Sequence, residues 1–126
     1  MSRIGIALSE LGQLAKPLCV IKNKGARKNI ALIREICAKY KVKTIVCGLP
    51  LDAEGKATPM SHEIERFCFE LEKKSGIPVV TSDERYSSKE AEDYIRQTKS
   101  KDLLDAVAAS LVLQEYLIKR QQGENK

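Results

Sequence analysis

The order of apolar and polar residues predicts alternating strands and helices. Apolar residues at 3–9 and at 16–22 predict two strands joined as a hairpin through a turn at 10–13. A basic loop at 23–28 follows, and the apolar spacing then changes to three and four, which indicates a helix from Asn29. The positions that carry this helical spacing are Ile30, Ile33, Cys37 and Tyr40.

The middle of the chain predicts a second strand–helix pair. An unbroken apolar run at 44–50 is typical of a strand covered on both faces, so the sheet is expected to have a parallel portion. After a flexible loop at 52–56, Thr58 is expected to cap a helix that has Pro59 in its first turn and ends at Gly76. The predicted buried stripe of this helix is Met60, Ile64, Phe67, Cys68 and Leu71.

A short apolar strand from Val79 runs directly into the charges Asp83, Glu84 and Arg85. The spacing of Ser87 and Glu90 is that of a capping box, which predicts a helix over 88–97. The three charges are therefore expected where a strand ends, the edge at which α/β folds bind ligands. A polar loop with a local Asp–Arg pair explains the same residues.

A last helix is predicted over 101–120, and the polar tail 121–126 is expected to fray. Asp105, Ala108 and Ala109 share one face of this helix. Small residues beside a carboxylate would let the helix pack close to a sheet and hold the acid at its rim. A charge on the exposed edge of an amphipathic helix is the alternative.

Length and charge narrow the class of protein. The 126 residues suit one domain over 1–120. No apolar run reaches the roughly 18 residues of a membrane span, and the N-terminus has no signal-peptide layout. A cytoplasmic location is therefore expected. The whole chain has a net charge of +5, and residues 1–43 contain 10 Lys and Arg but only 2 acidic residues. This basic part indicates a polyanionic partner such as nucleic acid, although a solvated lysine surface has the same composition. The candidate nucleic-acid-binding residues are Lys22, Lys24, Arg27 and Lys28.

The cysteines and the histidine give no catalytic pattern. Cys19, Cys37, Cys47 and Cys68 are too far apart for a Cys-x-x-Cys pair, so free buried thiols are expected and not a metal cluster. The single histidine, His62, is expected on a helix surface. The chain also has no Gly-x-Gly-x-x-Gly or P-loop motif, which disfavours a nucleotide-binding domain.

The order of elements and motifs resembles the YqgF (RuvX) family of pre-16S rRNA nucleases and Holliday-junction-resolvase-like proteins. The matching motifs are Arg3-Ile4-Gly5-Ile6-Ala7-Leu8-Ser9, Lys16-Pro17-Leu18, Gly48-Leu49-Pro50, Asp83-Glu84-Arg85 and Asp105-Ala106-Val107-Ala108-Ala109. The resemblance implies an α/β, ribonuclease-H-like mixed sheet flanked by helices. It also implies phosphodiester hydrolysis with Mg²⁺ or Mn²⁺.

The resemblance implies Glu84 and Asp105 as the catalytic, metal-binding carboxylates, with Asp83 and Arg85 in support. The family opens with a strand ending in Asp-x-Gly before the segment that begins here at Arg3, so the first, central strand and its carboxylate are expected to be missing or truncated. The basic loop before the last helix is also shorter, at 98–101. The late start favours a longer native protein, and a degenerate family member is the alternative.

Three functions follow from this resemblance. The first is a metal-dependent nuclease that matures the 5′ end of pre-16S rRNA in ribosome biogenesis. The second is a resolvase of branched DNA, because phosphate contacts do not distinguish structured RNA from DNA. The third is a non-catalytic nucleic-acid-binding or ribosome-assembly protein, which the absent first carboxylate favours.

Overall fold

The computed structural model describes residues 3–12, 14–49, 52, 54–83 and 101–124. The chain divides into two compact units, Met1–Asn23 with Ser87–Lys126, and Lys24–Tyr86. Each unit contains its own strand pair, and helices lie against these strands, so the fold is α/β as the sequence predicts. No helix within the described residues is long and apolar enough to cross a membrane.

The first unit is built on the predicted hairpin. Strand β1 (Arg3–Leu8) pairs antiparallel with strand β2 (Lys16–Lys22), which confirms both strands. The register shifts between Ile6 and Ala7, and Ala7 then pairs with Pro17. A proline has no N–H for the ladder and is tolerated at such an irregularity.

The long helix of this unit, α3 (Lys101–Glu124), packs on both strands of the hairpin. It runs four residues beyond the predicted end at 120, so the first residues of the predicted tail are helical. The backbone N–H of Ala15 donates to Oε1 of Gln114 at 2.9 Å and ties the start of β2 to the helix. The buried positions of the helix are Ala106, Val107, Ser110, Val112 and Leu117.

The second unit contains the parallel strand pair. Strand β3 (Ile45–Leu49) pairs with strand β4 (Val79–Asp83), from Ile45 opposite Val79 to Leu49 opposite Asp83. The backbone N–H of Ile45 also donates to the carbonyl of Pro78 at 2.9 Å, which extends the pairing by one bond. The predicted parallel portion of the sheet is therefore confirmed.

Helix α1 (Ala26–Tyr40) begins three residues before the predicted start at Asn29. The N–H of Asn29 already donates to the carbonyl of Gly25 at 2.9 Å, so the helical hydrogen bonds begin there. Arg27 and Lys28 consequently lie in the first helical turn, and the prediction that placed them in a loop was wrong. The apolar spacing was right, since Ile30 and Cys37 are buried.

Helix α2 (Pro59–Ser75) has the predicted caps at both ends. Thr58 forms a capping box with Ser61, and Gly76 ends the helix in a left-handed conformation with φ of 73°. One member of the predicted stripe is wrong, because Met60 is 45% exposed. The neighbouring Ser61 is fully buried, and its hydroxyl is satisfied there by hydrogen bonds to the backbone of Thr58.

The predicted flexible loop at 52–56 is a hydrogen-bonded turn organised by Asp52. Oδ1 of Asp52 accepts the N–H groups of Glu54 and Lys56, both at 2.9 Å. The backbone of Asp52 bonds to Lys56 and Gly55 as well. The predicted helix over 88–97 and its capping box at Ser87 and Glu90 lie outside the described residues.

Candidate functional site

The carboxyl ends of the two parallel strands meet at one edge of the second unit. Asp83 is the last residue of β4 and pairs with Leu49, the last residue of β3. The motif that begins at Asp83 therefore starts where the sequence predicts, at the edge where ligands bind in α/β folds. Glu84 and Arg85 follow directly in the chain and lie outside the described residues.

Asp105 lies in α3, on the helix that packs against the hairpin of the first unit. The face of the helix that carries Asp105 also carries Ala108, Ala109 and Val112, because these positions are three, four and seven residues away. Val112 is buried and the two alanines are half-buried. The packing of these three residues agrees with the contact through small residues predicted for this helix, and the position of the Asp105 carboxylate stays a prediction. The proximity of Glu84 and Asp105 stays a prediction.

The donor set of these two positions suits a hard divalent cation. Mg²⁺ and Mn²⁺ prefer oxygen ligands, and two carboxylates supply them. Within the part of the chain that the structure describes, no group of three or more His, Cys, Asp or Glu residues could hold a metal ion. His62 is exposed on α2, as the sequence predicts.

The four basic residues proposed for nucleic-acid binding are all exposed. Lys22 ends β2, Lys24 precedes helix α1, and Arg27 and Lys28 lie in its first turn. The backbone N–H of Lys24 donates to Oδ1 of the buried Asn29 at 3.1 Å, so the chain is held at the start of the helix. These positions present their charges to solvent, where a polyanion can reach them.

The start of α1 is electrostatically unusual. Its N-cap is Gly25, which makes no side-chain capping hydrogen bond, and its first turn has no acidic residue. The positive end of a helix dipole is stabilised by negative charge and destabilised by cations, by about 0.3–1 kcal/mol each. Arg27 and Lys28 therefore lie at an end of the helix that favours an anion as a partner.

Sequence reasoning missed an interaction between two of the four cysteines. All four are free thiols, as predicted, but only Cys37 and Cys68 are buried, whereas Cys19 and Cys47 are half-buried. The hydrogen bond with Cys68 raises the pKa of Cys47 far above its ordinary value, and burial adds to the shift. The same hydrogen bond lowers the pKa of Cys68, against the opposing effects of burial and Glu65. The one signal in the sequence was that an apolar strand and a buried helix stripe each contain a cysteine.

The comparisons with known proteins agree with the α/β architecture and with the motifs. A protein of Clostridium kluyveri, named "Putative pre-16S rRNA nuclease", is 38% identical over 120 residues, which cover 90% of this chain and 88% of that protein. A protein of Syntrophomonas wolfei with the same name is 37% identical over 121 residues, covering 91% and 86%.

Solved structures show the same fold at lower sequence identity. Thermus thermophilus RuvC matches with a TM-score of 0.56 and 14% identity, covering 95% of this chain and 89% of that chain. The structure of the same protein in complex with a Holliday junction substrate also matches with a TM-score of 0.56. The fold is therefore the ribonuclease-H-like fold of RuvC. The sequence model of the family described as "RuvX: Holliday junction resolvase" matches residues 1–119, and with relatives this similar over nine-tenths of its length the chain belongs to the RuvX family.

Proposed function

We propose that this protein is a metal-dependent nuclease that hydrolyses phosphodiester bonds during 5′-end processing of pre-16S rRNA. The observation that carries the proposal is membership of the RuvX family, together with relatives named as pre-16S rRNA nucleases over almost their whole length. The proposal retains the cytoplasmic location expected from the sequence.

Glu84 and Asp105 are the proposed metal ligands and catalytic carboxylates. A divalent cation held by them would activate water and neutralise charge on the transferring phosphate. Arg85 is proposed to contact a phosphate oxygen or to orient a neighbouring carboxylate. Asp83 is given only a supporting role, because adjacent residues on a strand point to opposite faces. The position of Asp83 as the last residue of β4 supports this arrangement, since the motif then starts at the end of a strand.

The first test is cleavage of a 16S rRNA precursor in the presence of Mn²⁺. Glu84→Gln and Asp105→Asn each remove one charged ligand, and we expect each to lower the cleavage rate by about 10²–10³-fold. Glu54→Gln is the matched control, because Glu54 is an exposed acid in the turn after β3, and it should cleave at the wild-type rate. Wild-type cleavage by Glu84→Gln would place the metal elsewhere.

The proposed nucleic-acid surface is tested by the salt dependence of binding. Replacing Arg27 and Lys28 by glutamine should lower the slope of log K against log [salt] by about 1.8 for duplex, because each phosphate contact contributes about 0.9. The matched control replaces Lys73 and Lys74 by glutamine. These are also exposed basic residues, but they lie in the last turn of a helix, α2, and not in the first. An unchanged slope in the Arg27/Lys28 variant would indicate that these two residues belong to a solvated basic surface and do not contact phosphates.

A second candidate function is resolution of branched DNA. The observations that favour it are that the RuvX family is described as Holliday junction resolvases and that this chain shares its fold with RuvC. A four-way DNA junction and the rRNA precursor should be assayed with the same preparation and the same Glu84→Gln variant. Faster Glu84-dependent cleavage of the junction would identify DNA as the substrate. Binding of either substrate with no cleavage at any Mn²⁺ concentration would favour the non-catalytic binding protein.

A further inference from the structure

The solvent-facing side of helix α1 carries a row of exposed side chains that runs the length of the helix. The buried and half-buried residues of α1 fall on one side of the helix, which packs on the protein. With 3.6 residues per turn, the exposed residues after Ala26 fall together on the opposite side. Arg27 and Lys28 begin this exposed face, and it continues through Ala31, Arg34, Glu35, Ala38 and Lys39.

The charge on this face is one-sided. Four of its side chains are cations and one, Glu35, is an acid, which gives a net charge of +3. Lys41 and Lys43 follow directly after the helix, and both are exposed. The chain contains no acidic residue between Glu35 and Asp52, so these two lysines extend the positive charge beyond the end of the helix.

Lys41 lies in a backbone conformation that disfavours a lysine. It is the C-cap of α1, with a left-handed φ of 55°, and its N–H donates to the carbonyl of Cys37. Within the part of the chain that the structure describes, it is the one non-glycine residue with a positive φ. Helix α2 ends in the same conformation on Gly76, the residue type that such a cap favours. A cation retained in a strained position indicates a side chain with a role in binding.

We propose that the exposed face of α1 and the two lysines after it bind the phosphate backbone of a nucleic-acid duplex along the length of the helix. The fifteen residues of α1 extend about 22 Å. A duplex strand has one phosphate per roughly 3.4 Å of axis, so this face matches about six base pairs. Ala31 and Ala38 are small, so the duplex can approach the helix closely between the cations.

The proposal rests on the proposed function for the class of its ligand, and it extends the surface at the start of α1. The residues newly assigned to it are Arg34, Lys39, Lys41 and Lys43. We refer to the six cations, these four with Arg27 and Lys28, as the basic face of α1.

The first test is the salt dependence of duplex binding without divalent metal, so that binding is measured apart from cleavage. Arg34→Gln/Lys39→Gln should lower the slope of log K against log [salt] by about 1.8, and by about 3.6 when combined with the Arg27/Lys28 variant. RNA and DNA duplexes should show the same loss, because phosphate contacts do not distinguish them.

The matched control is again Lys73→Gln/Lys74→Gln, which should keep the wild-type slope. Glu70 and Glu72 balance these two lysines at the end of α2, and Nζ of Lys74 lies 3.8 Å from Oε2 of Glu70. The end of α2 therefore has exposed lysines without the net positive charge of the basic face.

Two further variants separate lost contacts from damage to the fold. Glu35→Gln removes the acid from the face and should tighten duplex binding by about threefold, which a damaged fold cannot produce. Lys41→Gly should raise the melting temperature by about 2–5 °C, because glycine suits the left-handed cap. The same variant should lower the slope by about 0.9, whereas Lys41→Arg should retain the wild-type slope.

An unchanged slope in Arg34→Gln/Lys39→Gln, binding that is not tightened in Glu35→Gln, or full binding by Lys41→Gly would each overturn the proposal. Vesicles containing phosphatidylserine test the alternative ligand. If Arg34→Gln/Lys39→Gln loses vesicle binding but keeps duplex binding, the face belongs to a membrane surface and the proposal is wrong. Glu84-dependent cleavage with an unchanged slope would overturn the basic face alone. The expected slopes without cleavage by the wild type would support the basic face and reject the nuclease.

Discussion

The capping box of α2 offers a quantitative test of how local hydrogen bonds stabilise this protein. Oγ1 of Thr58 accepts the backbone N–H of Ser61 at 3.1 Å. In the reverse direction, Oγ of Ser61 accepts the N–H of Thr58 at 2.8 Å and donates its proton to the Thr58 carbonyl at 2.9 Å. Thr58→Ala removes the first of these bonds and leaves the other two in place.

The expected loss follows from the burial of the box. An N-cap replaced by alanine costs about 0.5–2 kcal/mol, and a buried donor left without a partner costs about 1–3 kcal/mol. Ser61 is fully buried, so water cannot replace the lost acceptor without a local shift. We therefore expect Thr58→Ala to lower the free energy of unfolding by about 1–2 kcal/mol. Thr58→Ser retains the hydroxyl and should remain within about 0.5 kcal/mol of the wild type.

The reciprocal variant makes the test sharper. Ser61→Ala loses two hydrogen bonds but gains about 0.5 kcal/mol of helix propensity, so its net cost should be about 1 kcal/mol. Each half of the box holds the same backbone turn for the other half. The double variant should therefore cost less than the sum of the single variants, by at least about 0.5 kcal/mol.

The measurement is urea unfolding followed by far-ultraviolet circular dichroism, with equal m-values for all variants. His62→Ala is the matched control, because His62 is exposed one residue further along the same helix and should change stability by less than about 0.5 kcal/mol. If Thr58→Ala is as stable as His62→Ala, or the two box substitutions are strictly additive, the reasoning about this cap is wrong.

Three further predictions concern the second unit. Leu71→Ala should lower the free energy of unfolding by about 2–5 kcal/mol, because Leu71 is 1% exposed. Phe69→Ala should lower it by less than about 0.5 kcal/mol, because Phe69 is 67% exposed. Urea unfolding measures both variants, and equal losses would contradict the assignment of Leu71 to the core. Gly76→Ala should cost about 1 kcal/mol in the same assay, since its φ is 73° while the added Cβ meets no atom within 4 Å, and a neutral result would refute a purely backbone cost. Burial raises the folded-state pKa of Cys37 above its value of 9.0 in the unfolded chain, so the stability linked to this thiol is complete below that pH and is lost as the pH rises toward the folded-state pKa. Between about pH 8 and 10 the free energy of unfolding should therefore fall more for the wild type than for Cys37→Ala. Equal decreases in the two proteins would exclude this thiol as the cause.

The elements that sequence reasoning predicted well are those held by local interactions. The cap at Thr58 and the end at Gly76 were predictable because a capping box and a left-handed C-cap join residues only a few positions apart. The strand end at Asp83 followed in the same way from the apolar run that starts at Val79. Where local signals were weak the predictions shifted, as at α1, which begins at Ala26 on an uncapped glycine.

The amino-acid sequence by itself determined the order of the described strands and helices, the hairpin, the presence of a parallel portion in the sheet and the family motifs. Tertiary structure decided which side chains these elements bury: Met60 is exposed although the predicted stripe included it, and Ser61, which the stripe did not include, is buried. It also brought Cys47 and Cys68 together, because a contact between a strand and a helix depends on strand register and helix rotation and not on sequence spacing. The same reason limits what the sequence can predict about the metal site. The positions of Asp83 and Asp105 within their elements follow from the local pattern of residues. A shared metal ion requires a short distance between carboxylates, and that distance is set by tertiary packing.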